Sequence, residues 1–82
     1  MPVIARFQGI VIKMYLRNME HNPPHIHAIY GDEVGVFSLI DGEMYEGDLR
    51  QKEENAVYAF IIKNQEKLLQ MWSSNQFEYI DI

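Results

Sequence analysis

The first half of the chain alternates between apolar and polar positions, and the second half does not. In Gly9–Arg17, the residues Ile10, Ile12, Met14 and Leu16 fall on one side of an extended chain, with Val11, Lys13, Tyr15 and Arg17 on the other. A period of two predicts a strand whose first set faces a core and whose second set faces water. A shorter apolar run, Val3–Phe7, precedes it, and Gly9 between the two marks a tight turn or a bulge. His25–Tyr30 resumes the strand pattern, and Gly31-Asp32 marks a turn. Val34–Ile40 is almost wholly apolar, which predicts a central strand. Asp41-Gly42 then separates it from Glu43–Leu49, a hairpin signal that favours a type I′ turn with positive φ at both positions.

Beyond Leu49 the period changes. No glycine or proline occurs from Leu49 to Ser74, and Val57, Phe60, Ile61, Leu68, Met71 and Trp72 recur at helical spacing. One amphipathic helix of about 24 residues, roughly 36 Å long, is predicted. Asp48 and Gln51 have the spacing of a capping box, and Glu53 and Glu54 suit the positive end of a helix dipole. Lys63 and Lys67 lie further along, and Ser73-Ser74-Asn75 is a stop. The tail Phe77–Ile82 alternates again and reads as a short terminal strand, at a sheet edge of this molecule or of another copy. The expected fold is α+β: a twisted antiparallel sheet of about four to five strands with one long C-terminal helix on one face. Residues 1–82 make a single domain.

Composition narrows the chemistry. Hydrophobic residues at 48% and charged residues at 23% place the chain among globular rather than disordered proteins. With no cysteine, neither a disulfide nor a thiolate site is available, which fits a cytoplasmic setting. No segment reads as a signal peptide, and no apolar run is long enough to span a bilayer, so no membrane association is expected. The net charge of −5 opposes broad attraction to nucleic acid, although Arg6, Lys13 and Arg17 cluster near the start of the chain.

The residues that could carry chemistry are concentrated in one segment, His21-Asn22-Pro23-Pro24-His25-Ile26-His27, which holds all three histidines. Pro23 and Pro24 favour a rigid extended lead into a strand. His25 and His27 are two apart on that strand, so they leave the same face with alpha carbons roughly 6.5–7 Å apart. Three roles follow. The histidines can fix the local backbone. His25 and His27 can share acid and base roles, with Arg17 or Lys13 stabilising a phosphate. Or His21, His25 and His27 can hold a divalent metal such as zinc, with Asp32, Glu33 or Glu20 as further ligands. No other cofactor is expected. The carboxylates Asp41, Glu43, Glu46 and Asp48 read as a solvated hairpin edge, and Ser38 lacks the context of a nucleophile. Trp72 reads as core.

Taken in order, "MPVIARFQGIVIKMY", "EHNPPHIHAIYG", "DGEMYEGDL" and a helix ending near Trp72 resemble a small prokaryotic family, domain of unknown function 4160. The most specific part is His21, Pro23, Pro24, His25, Ile26, His27, Tyr30 and Gly31. Ile26 stands where an aromatic residue is common, and the helix start "DLRQKEEN" lacks a proline often found there. The resemblance implies a small cytoplasmic protein of bacteria or archaea, encoded beside another small domain in a toxin–antitoxin-like arrangement. Its expected function is therefore an interaction module of a two-component system, bound to a small protein partner. The alternatives are a metal-independent ribonuclease using His25 and His27 on RNA, and a metal-binding domain. An oligomer formed through the C-terminal tail is also expected.

Overall fold

The computed structural model describes residues 3–15 and 23–81. Five strands, β1 (Val3–Phe7), β2 (Ile10–Lys13), β3 (His25–Tyr30), β4 (Glu33–Ser38) and β5 (Met44–Gly47), form one antiparallel sheet in the order β1-β2-β3-β4-β5. Each strand pairs antiparallel with the next in sequence, and two-residue turns join β1 to β2 and β3 to β4. The run predicted to be central, residues 34–40, supplies β4, which is internal; the middle place belongs to β3.

Turn chemistry explains two of the hairpins and corrects a third expectation. Phe7 pairs with Ile10, and the two residues between them, Gln8 and Gly9, have φ of 51° and 77°. Positive φ at both positions is the type I′ pattern, here at Gln8-Gly9. Tyr30 pairs with Glu33, and positive φ at Gly31 alone is the type II′ pattern. At Asp41-Gly42, only Gly42 has positive φ, so this is not the type I′ turn its sequence suggests. The loop is longer because side chains close it. Ser38 Oγ accepts from the Ile40 N–H, Asp41 Oδ1 accepts from the Glu43 N–H, and the Ser38 N–H donates to the Glu43 carbonyl.

The predicted single helix is two: α1 (Gln51–Lys63) and α2 (Gln65–Ser74), joined at Asn64. After Ile61 the apolar stripe needs residues at 64 and 65, where the sequence has Asn and Gln. Asn64 Nδ2 donates to the Phe60 carbonyl at 3.0 Å, competing with the helix ladder. Gln65 Nε2 donates to the carbonyls of Leu39 and Ile40, both at 2.8 Å, and pins the break to the end of β4. The capping box does not form either. The N-cap of α1 is Arg50, without a side-chain cap, and Asp48 Oδ1 instead accepts from the Val34 N–H at 3.3 Å. Glu53 and Glu54 do occupy the first turn, and Asn75 ends α2 in the left-handed conformation.

The core lies between one sheet face and the helices. Ile4, Ile10, Ile12, Met14, Ile26, Ala28 and Phe37 meet the full predicted stripe of Val57, Phe60, Ile61, Leu68, Met71 and Trp72. Phe7 and Phe60 stack with ring centroids 5.0 Å apart. Leu16 and Arg17, assigned above to opposite faces, lie outside the described residues. The tail is not a strand through Asp81. It keeps one backbone bond to the sheet edge, from the Ile80 N–H to the Ile4 carbonyl, and Ile80 is buried.

Candidate functional site

The strand pattern places His25 and His27 as predicted, on one side of β3, with ring centroids 5.3 Å apart. Their neighbours are aromatic. The Tyr15 ring meets His27 edge-on at 4.5 Å, and the Trp72 indole lies 5.0 Å from His25. Pro23 contributes its carbonyl to His25 Nδ1 at 3.0 Å. A carbonyl only accepts, so Nδ1 is the protonated nitrogen. The proline pair thereby fixes the chain before β3, and the Leu39 N–H to Pro24 carbonyl bond extends the β3–β4 pairing past its last ladder pair. His25 is only 3% exposed and His27 is partly exposed.

Of the other expected site residues, some lie beside the histidines and some do not. Lys13 stands opposite His27 across β2–β3, and Ser38 opposite His25 across β3–β4. Asp32 and Glu33 lie at the far end of β3, beyond Tyr30, where Glu33 pairs with Arg50 at 2.9 Å. His21, Glu20 and Arg17 lie outside the described residues. Among the described residues, no three histidine or acidic side chains converge as metal ligands.

A surface that the sequence reading passed over begins just past Ser38 and Leu39, which pair with His25 and Pro24. Ile40, Tyr58 and Ile62 are 58%, 44% and 45% exposed. Tyr58 and Ile62 close the space over Gly42, two residues along the chain from Ile40: a Cβ there would come within 2.9 Å of Tyr58 Cδ1 and 3.3 Å of Ile62 Cδ1. Beside them is a cleft of about 240 Å³ lined by Gly42, Glu43, Gln51, Glu54, Asn55 and Tyr58. Its charged residues are both acidic. A sequence signal for this patch exists: Tyr58 and Ile62 are four apart and lie one step off the core stripe of Val57 and Ile61. Large apolar side chains clustered at the surface with a polar rim mark contact sites more often than isolated ones do.

What fold and surface define together is a small α+β domain: a five-stranded antiparallel sheet, a two-part helical layer, and a rigid histidine-containing strand start. Residues 9–73 match a family described as Domain of unknown function (DUF4160), and the chain belongs to that family. No curated protein and no solved structure matches the chain. No helix among the described residues is long and apolar enough to cross a membrane.

Proposed function

We propose that this domain is an interaction module of a two-component, toxin–antitoxin-like system, and that it holds a small protein partner on the Ile40–Tyr58–Ile62 patch. The observation that carries this reading is the packing of exposed Tyr58 and Ile62 against Gly42, with exposed Ile40 two residues before it in the chain, beside a cleft whose charged residues are acidic. An apolar anchor flanked by carboxylates suits a partner that presents an apolar side chain between lysines or arginines. The histidine segment then serves the fold. It locks the start of β3 against α2 through His25, Pro23 and Trp72.

The acid–base reading through His25, His27 and Arg17, and the metal reading through His21, His25 and His27, have less support. His25 is almost wholly enclosed, and its Nδ1 is engaged by a backbone carbonyl. The test is co-expression with the small protein that this reading expects to be encoded beside it, followed by sizing of the purified material. A stable complex is expected for wild type and is lost in Tyr58→Asp and Ile62→Lys. Failure of the wild-type pair to associate, or a complex indifferent to both substitutions, contradicts the proposal.

A further inference from the structure

The tip of the β1–β2 hairpin and the end of α1 form a cleft of about 170 Å³. Its walls are apolar at Phe7, Ala56, Ala59 and Phe60, and polar at Gln8, Lys63 and Asn64. On α1, Ala56, Ala59, Phe60 and Lys63 stand at i, i+3, i+4 and i+7, which is one stripe of a helix. Phe60 is buried there and stacks on Phe7 with ring centroids 5.0 Å apart. The alanines beside it end at Cβ, so α1 leaves a groove next to the two rings. Lys63 is the sole charged residue in the lining. It is exposed and forms no ion pair among the described residues. Helix ends do not offset its charge, because α1 stops and α2 starts at Asn64 and the two dipole ends oppose each other.

We propose that this cleft binds a small molecule built of one aromatic ring and one carboxylate. An apolar cavity of about 150 Å³ holds one benzene ring, so about 170 Å³ takes a ring with a small substituent. Phe7 and Phe60 offer ring faces and edges, against which a further aromatic ring packs in an offset or edge-on manner. The carboxylate emerges at Lys63, where one cation at the rim of an open cleft matches one anionic group that stays in contact with water. A ligand this small, held in an open cleft, is expected to bind with a Kd on the order of 1 mM. The cleft lies on one flank of the buried Val57 and Ile61 stripe, and Tyr58 and Ile62 lie on the other. A ligand here therefore leaves the Ile40–Tyr58–Ile62 patch free, and its binding does not depend on the partner proposed there.

Amide NMR titration of the full chain with benzoate tests it. Saturable shifts are expected at Gln8, Ala56, Ala59 and Lys63. Acetate, which has the charge without the ring, gives none. Lys63→Gln weakens benzoate binding by about two- to fivefold and leaves that of neutral benzyl alcohol unchanged. Ala59→Leu fills the groove and abolishes binding of both. Benzoate that gives no saturable shift, or shifts only other residues, overturns the proposal, as does unchanged binding in a folded Ala59→Leu. A Lys63→Gln variant that treats benzoate and benzyl alcohol alike overturns it too, because the charge would then play no part. N-acetylphenylalanine amide bound where benzoate is not would give the cleft to a side chain of a protein partner and likewise overturn it. If Ala59→Leu does not fold, Lys63→Gln read against the two probes decides alone.

Discussion

The indole of Trp72 and the imidazole of His25 lie with centroids 5.0 Å apart, joining the last turns of α2 to the start of β3. His25 is held from the other side by Pro23, so one ring ties the proline lead, the strand and the helix together. Truncating Trp72, which is 8% exposed, removes a large buried ring. Trp72→Ala is expected to cost about 3–5 kcal/mol in urea unfolding. A double-mutant cycle with His25→Ala should leave a coupling of about 0.5–1.5 kcal/mol. Additive losses would mean that the two rings do not support each other.

The same tie predicts that the histidines matter to stability and not to turnover. RNA incubated with wild type or with His27→Ala is expected to decay at one shared background rate. Cleavage present in wild type and absent in His27→Ala would return the acid–base reading to first place.

The break between α1 and α2 rests on Gln65. Its amide donates to two carbonyls at the end of β4, and Gln65→Ala leaves both without that partner. A loss of about 1–2 kcal/mol is expected. Thermal or urea unfolding checks it, and an unchanged midpoint would show that Asn64 alone sets the break.

The Gln8-Gly9 turn offers a gain instead. Gln8 has φ of 51°, a left-handed conformation that asparagine tolerates better than glutamine does. Gln8→Asn should stabilise the β1–β2 hairpin by roughly 0.5 kcal/mol, since Asn-Gly is the favoured type I′ pair. Destabilisation by this change would contradict the turn assignment.

Much of this molecule was legible in its sequence, and the gaps have physical causes. Period-two alternation placed Ile10, Ile12 and Met14 in the core and put His25 and His27 on one face, because a strand has only two sides. The six-residue helical stripe was likewise buried in full. The helix break was missed because Asn64 and Gln65 read as ordinary surface residues. The effect of Gln65 depends on the Leu39 and Ile40 carbonyls just past β4, which are distant in sequence. Asp41-Gly42 carried the stronger turn signal, yet Ser38 and Asp41 side chains built a longer loop there. The Trp72–His25 contact and the Gly42 patch join residues far apart in the chain, which periodicity does not relate.

The central claim is that a small protein partner sits on Ile40, Tyr58 and Ile62, and amide hydrogen exchange of the co-purified complex tests it most directly. Protection is expected to rise on partner binding in residues 40–43 and 54–62, with β2 and β3 unchanged. Protection confined to β3 around His25 and His27, with the α1 patch exchanging as in the isolated chain, would contradict it.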